Sequence, residues 1–204
     1  MTNKPTVPTV ILVTGHPATG KTTLSKKLAA EFKLPLIGKD IIKETLADAL
    51  QNPSDALPAH AWSGRLSQAT WKLLYQQTEE LIRADVTHIV EANFDPKFAN
   101  PQWQTLAQKY DFVPLQIRCE AAPQTILDRY ADRVKDGSRH AVHVDAVPNP
   151  DFAQLIQTHL GWIEIGGARL SFDNSIRNRR NIDDLIKPVL DILNGSFTNR
   201  EYAL

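Results

Sequence analysis

Little in this chain would tie it to a membrane, an oxidising compartment or a metal cluster. Cys119 is its one cysteine, so no internal disulfide can form, and no Cys/His set has metal-ligand spacing. That pattern fits a reducing compartment, and a cytoplasmic protein is expected. Lysine plus arginine and aspartate plus glutamate both number 23. With no net charge, the chain as a whole is not drawn to nucleic acid or to an anionic bilayer, which leaves a local basic patch as the means of binding a polyanion. The apolar run that follows Pro5 and Pro8 is too short for a signal-peptide core or a membrane span. Repeats and low-complexity tracts are also lacking. A length of 204 residues suits one core with at most a small lid, so a single domain over 1–204 is expected.

What the chain does have is an alternation of strand and helix signals, which predicts an α/β fold with a parallel sheet covered by helices on both faces. Val10 to Thr14 is apolar and β-branched throughout, as befits a strand buried on both sides. Leu24, Leu28 and Phe32 recur every four residues and mark an amphipathic helix from Lys21. A short strand follows, residues 34–38, and then a helix over 41–50. Residues 51–64 form a Pro-rich connection long enough to be functional or mobile. A long helix from about Arg65 to Arg83 leads to a third strand, 87–92. Pro101 opens a helix through about Lys109, and a fourth strand covers 112–119. Pro123 suits the first position of the next helix, 123–134. The polar segment after it completes a candidate lid over roughly 123–150. A helix from Pro150, a fifth strand over 168–172 and a closing helix complete the count. Asn181 is expected to cap that last helix, with Asp183 and Asp184 in its first turn.

The strongest signal is Gly15-His16-Pro17-Ala18-Thr19-Gly20-Lys21-Thr22, which matches G-x-x-x-x-G-K-[ST] at every fixed position. By composition alone the pattern should arise in a chain this long on the order of once in a hundred cases. It also sits between an apolar strand and an amphipathic helix, where the chemistry needs it. Glycines let backbone N–H groups turn inward around phosphates, and the helix N-terminus adds positive potential. Lys21 is placed to reach the β and γ phosphates, and the Thr22 hydroxyl to ligate Mg²⁺. Thr23 joins the nucleotide-binding set as the next residue of the helix start. A Gly-rich turn that binds nothing would need neither the lysine nor the hydroxyl. The D-x-x-G switch of a GTPase is missing, since no aspartate stands three residues before a glycine.

With the phosphate loop near the N-terminus, a short second strand ending at Asp40 and arginines after the fourth strand, the chain resembles the small P-loop kinases. It is most similar to the AAA_33-type, zeta-toxin-like and chloramphenicol-phosphotransferase-like group. The resemblance implies a P-loop fold with a central five-stranded parallel sheet and a small helical lid. It also implies ATP and Mg²⁺, with transfer of the γ-phosphoryl group to a hydroxyl of a small molecule. Asp40 would be the base that orients and deprotonates that hydroxyl, although Asp here also serves as a helix cap. Relatives carry an arginine where this chain has Lys43 and Glu44. Glu91, at the end of the third strand, would be the acidic residue that holds Mg²⁺, or a strand-end carboxylate paired to a lysine. Arg129 and Arg133, four apart on one helical face, match the lid arginines of the group. Their neighbours Asp128 and Asp132 offer plain ion pairing instead. Arg139 is a further candidate for the same role or for stacking on adenine, and Asn174, with Asp173 and Ser175, falls where the adenine pocket lies.

Asn93 reads as a turn residue or an acceptor contact, and His140 and His143, close enough to suggest a metal or a relay, read as polar loop residues because no further ligands stand beside them. Trp62, Arg65, Trp71 and Tyr75 fall in the segment that forms the acceptor pocket in the kinases this chain resembles; Trp71 and Tyr75, at helical spacing, read as core, and Trp62 in the connection is the acceptor-pocket candidate. Three rival readings stand beside the kinase: an NTP-hydrolysing switch or chaperone, a kinase acting on nucleic-acid ends, which the neutral charge balance opposes, and a toxin-like kinase.

Overall fold

The computed structural model describes residues 7–50, 57–136, 139–143, 150–158, 160–176, 179–195 and 201–203. Residues 51–56 of the expected connection, and 137–138 and 144–149 of the expected lid, lie outside them. The described elements run β1 (Thr9–Gly15), α1 (Lys21–Phe32), β2 (Leu36–Gly38), α2 (Lys39–Leu50), α3 (Ala59–Arg83), β3 (His88–Glu91) and α4 (Pro96–Lys109). They continue with β4 (Val113–Glu120), α5 (Pro123–Asp136), α6 (Pro150–Leu155), β5 (Ala168–Asp173), α7 (Arg179–Leu193) and β6 (Glu201–Ala203). All strand pairings are parallel, in the order β2-β3-β1-β4-β5-β6. The five expected strands are present, and β6 adds a short sixth at the edge.

Because β1 is central, its successive side chains enter two different cores. Ile11 and Val13 join Leu24 and Leu28 of α1 and Leu185 and Val189 of α7. Val10 and Leu12 join Leu74 of α3, Trp103 of α4 and Phe94. This is why β1 reads as an unbroken apolar run rather than an alternating one. The chain leaves β1 for β2, returns through β3, then crosses to β4 on the other side of β1. That reversal places the switch point of the sheet beside the carboxyl end of β1, where open α/β sheets bind ligands. Register puts Gly38 opposite Glu91 and Gly15 opposite Cys119, so the strand ends that carry chemistry share one edge.

Four helix starts differ from the sequence expectation. α3 begins at Ala59, so Trp62 and Arg65 lie within a helix rather than in or at the end of the connection. Pro58 and Gly64 suggest a break, yet proline suits a helix start and an exposed glycine costs only about 1 kcal/mol. α4 begins at Pro96, not Pro101, because Asp95 is a true cap whose side chain accepts the Lys97 N–H at 2.9 Å. α2 begins at Lys39, so Asp40 is in its first turn and is not the residue that flanks it. α7 begins at Arg179, so Asn181 is inside it and Asp183 and Asp184 fall beyond its first turn. Asp183 is instead held by Lys27 of α1 at 2.5 Å. Among the described residues no helix is long and apolar enough to cross a membrane.

Candidate active site

The loop between β1 and α1 is shaped by close approaches that only glycine allows. Gly15 has φ 150° and Gly20 φ 94°, and a Cβ on either would run into the Cys119 carbonyl or the Asn174 amide. Ala18 takes a left-handed conformation, φ 65°, at a cost of about 1–3 kcal/mol for a residue with a side chain. That conformation is buttressed from α5 and from the turn after α6. Ala18 packs with Ile126, Tyr130 and Ile156, and its carbonyl accepts from Arg129 at 3.5 Å. Thr19 turns its hydroxyl back to the His16 carbonyl at 2.8 Å. The His16 ring is buried and faces away, its Nε2 2.6 Å from the Thr158 carbonyl, so His16 contributes to the loop through its main chain.

Helix α1 starts at Lys21 with no side-chain cap and no acidic residue in its first turn. In α4 the Asp95 carboxylate fills that role. The first N–H groups of α1 and the positive end of its dipole are therefore left for an anion held by the loop. Lys21 is buried, with Nζ 3.8 Å from Oε1 of Glu91, and the Thr22 hydroxyl donates to Oε2 of the same carboxylate at 3.3 Å. Burial pushes the Glu91 carboxyl above its ordinary range, and the nearby Asp40 charge adds to the rise. Lys21 and Thr22 offset only part of it. A buried carboxylate and a hydroxyl are hard oxygen donors, so the pair is chemically suited to a magnesium ion. Cys119 lies against the loop, but burial pushes its thiol so far up that it stays protonated and inert.

Above the loop lies a polar pocket of about 140 Å³. Lys21, Lys39, Lys43, Arg133 and Arg139 line it together with one carboxylate, Asp40, and with Pro17, Thr22, Thr23 and Asn93. Burial pushes the Asp40 carboxyl up, but Lys39, Lys21, His143 and Arg139 outweigh it, and the net shift is downward. The segment 139–143 forms one wall and is joined to α2. His140 Nε2 lies 3.0 Å from Asp48, and His143 Nε2 lies 2.9 Å from Glu44.

The residues expected from sequence divide into two groups. Lys21, Thr22, Thr23, Asp40, Arg133 and Arg139 converge on the pocket, with Glu91 behind Lys21. Arg129 and Asn174 instead brace the loop from behind. The Asn174 amide donates to the Thr19 carbonyl at 2.8 Å, and Arg129 Nη2 donates to the Asn174 carbonyl at 2.6 Å. Trp62 is not among the residues lining the cavities described, whereas Trp71 and Tyr75 pack on the core and also line a second, larger cleft. Lys39, Lys43 and His143 were missed as pocket residues. Lys39 carried a signal, since it precedes Asp40 at the end of a strand. Lys43 stands where relatives carry an arginine and His143 lies three residues from His140, but a lysine on an amphipathic helix and a histidine in a polar loop also look like surface.

Residues 10–148 match the AAA_33 family model, described as an AAA domain. No curated protein matches the chain. Among solved structures, a protein of Chloroflexus aurantiacus j-10-fl that carries a provisional kinase designation is 31% identical, with a TM-score of 0.82. The match covers 91% of this chain and 98% of that one. A sugar kinase of Janibacter sp. HTCC2649 is similar at a TM-score of 0.56 and 16% identity, over 94% of this chain and 99% of that one. A gluconokinase of Sinorhizobium meliloti 1021 has a TM-score of 0.51 and 12% identity, again over 94% and 99%. At such low identity the last two show a shared fold alone.

Proposed function

The chain belongs to the AAA_33 family of AAA domains, and from that premise we propose that it is a P-loop kinase that moves the γ-phosphoryl group of ATP to a hydroxyl of a small molecule. The observation that carries this reading is the lining of the phosphate pocket, where five cations surround a single carboxylate. Such a site attracts a polyanion and leaves one base to receive a proton.

The loop amides and Lys21 would grip the β and γ phosphates. Thr22 and Glu91 would hold Mg²⁺, which when bound neutralises charge on the phosphate oxygens. Asp40 takes the proton of the acceptor hydroxyl, whose oxygen forms the new bond to the γ phosphorus. The bond to the bridging oxygen breaks, and ADP leaves with that electron pair. Because its cationic neighbours keep Asp40 ionised, it is ready to accept at neutral pH. Arg133 and Arg139 suit the charge spread over the equatorial oxygens, as planar guanidinium groups do. Segment 139–143, latched to α2, would act as a lid that keeps water from the γ phosphate.

ADP release with Mg²⁺ and ATP, screened over sugars, nucleosides, amino alcohols and antibiotics, tests the proposal. Acceptor-dependent release that vanishes in Lys21→Ala is expected. If calorimetry finds no magnesium-dependent binding of ATP to the folded protein, the proposal falls.

A further inference from the structure

His143 lines the phosphate pocket together with Lys21, Asp40, Arg133 and Arg139, and its side chain is only 7% exposed. Its main-chain N–H donates to the His140 carbonyl at 3.0 Å, which fixes the backbone, and its Nε2 lies 2.9 Å from Oε1 of Glu44 on α2, which fixes the ring. A carboxylate accepts and does not donate, so the proton of the neutral imidazole sits on Nε2 and the lone pair on Nδ1. Among the described residues that Nδ1 makes no hydrogen bond, and it is not sealed from solvent. His140 is different. Its Nδ1 accepts from the Val142 N–H at 3.1 Å, its Nε2 lies 3.0 Å from Asp48, and it does not line the pocket. Two histidines facing two carboxylates also suggest a metal, but among the described residues no three His, Cys, Asp or Glu side chains are grouped to hold one.

The pocket, about 140 Å³, is small, so a phosphoryl group gripped there by Lys21 also meets the wall that His143 supplies. The five cations of the lining have no lone pair to offer, and the threonine hydroxyls are weak nucleophiles until a base takes their proton. The Asp40 carboxylate is engaged by Lys39 at 3.6 Å. An imidazole needs no deprotonation at the nitrogen that carries the lone pair. One whose far nitrogen is held by a carboxylate is oriented for attack, and the charge that develops on its ring is stabilised.

We infer that His143 is a phosphorylation site of the chain itself: with no acceptor in place, its Nδ1 takes the γ-phosphoryl group of ATP, and segment 139–143 then carries a phosphohistidine. The Nδ1 lone pair forms the new bond to the γ phosphorus, the bond from that phosphorus to the bridging oxygen breaks, and ADP leaves with the electron pair. The Nε2 proton stays on the ring, and the positive charge left there is balanced by the Glu44 carboxylate beside it. The phosphoryl donor rests on the kinase reading above; the receiving atom does not depend on any small-molecule acceptor.

The test incubates the full chain with Mg²⁺ and ATP labelled in its γ phosphate, without acceptor. The protein should take up label that survives alkali and is released by acid, as a bond from nitrogen to phosphorus is; serine and threonine esters resist acid, and an aspartyl phosphate does not survive alkali. Peptide mapping at alkaline pH should place the phosphate on His143 in the wild-type chain, a result that needs no variant. ADP added to the isolated labelled protein should carry the label back into ATP. His143→Gln, which keeps a donor towards Glu44, should lose the label, as should Lys21→Ala, while His140→Gln should keep it. Thermal unfolding at the wild-type midpoint confirms that the variants are folded. Acid-stable label, label mapped to another residue, or undiminished label in His143→Gln overturns the inference. Calorimetry with Mg·ATP and the acceptor screen separate the two claims. ATP bound and an acceptor phosphorylated with no label on His143 sinks the phosphohistidine alone, and label on His143 with no acceptor turned over sinks transfer to a small hydroxyl compound alone.

Discussion

Arg129 and Arg133 lie one turn apart on α5, yet the structure gives them different neighbours, and exchanging each for glutamine should separate them. Arg129 donates to the Asn174 carbonyl at 2.6 Å and reaches the Ala18 carbonyl at 3.5 Å. The first is a good charge-assisted bond and the second is at the limit, so at least one strong bond is lost in Arg129→Gln. A hydrogen bond to a charged group contributes about 1.5–3 kcal/mol. If that energy holds Ala18 in its left-handed conformation and the loop in its binding shape, its loss weakens nucleotide by about 10- to 150-fold at 1.4 kcal/mol per tenfold. Arg133 lines the phosphate pocket itself. Removing a donor aimed at developing charge costs about 10²–10³-fold in kcat. Calorimetry with Mg·ATP and steady-state kinetics on the same preparations distinguish the two. Arg129→Gln should raise the Kd for nucleotide with kcat nearly kept at saturation, and Arg133→Gln should do the reverse. If Arg129→Gln bound ATP as wild type does and lost turnover instead, Arg129 would be a catalytic residue, and its role as a brace of the loop would be refuted.

Asp40→Asn should lower kcat by about 10²-fold or more while ATP still binds. Cationic neighbours depress the Asp40 pKa, so its carboxylate form persists as pH falls and is lost only below the ordinary aspartate value of 3.8. The acid limb of kcat/KM, which reports the free enzyme, should therefore lie below that value, and a limb centred well above pH 5 would remove Asp40 from the role. Glu91→Gln keeps the shape of the strand end but removes a hard anionic donor beside Thr22. Magnesium affinity should fall about 10- to 100-fold while metal-free nucleotide binding persists, as titration of Mg²⁺ into the protein with ATP would report. An unchanged magnesium requirement would leave Glu91 as no more than the partner of Lys21.

The legible part of this protein was the part governed by short-range rules. The unbroken apolar run of β1, the glycines at 15 and 20 and the periodicity of α1 each express a local constraint: burial on both faces, a backbone too crowded for Cβ, and a face turned to the core. Together they placed the phosphate loop, and they did so without knowledge of any partner strand. Breaker residues misled where context won, as at Pro58, Gly64 and Pro101, because a cap or a packed flank outweighs a cost of about 1–3 kcal/mol.

Everything that depends on which elements meet was settled in three dimensions. Sequence spacing put Arg129 and Arg133 on one helical face and could not tell that one would grip the loop and the other line the pocket. Lys39, Lys43 and His143 became pocket residues only because α2 and segment 139–143 close over the loop, bringing together side chains far apart in the chain. Trp71 and Tyr75 have core periodicity and do pack on the core, yet the gap between α3 and α4 exposes their ring faces to a cleft. Local sequence thus determined the strand, the turn and the helix that hold a phosphate. The tertiary packing of α2, α3, α4 and α5 decided what surrounds it, because long-range contacts leave no periodic trace in the residues that make them.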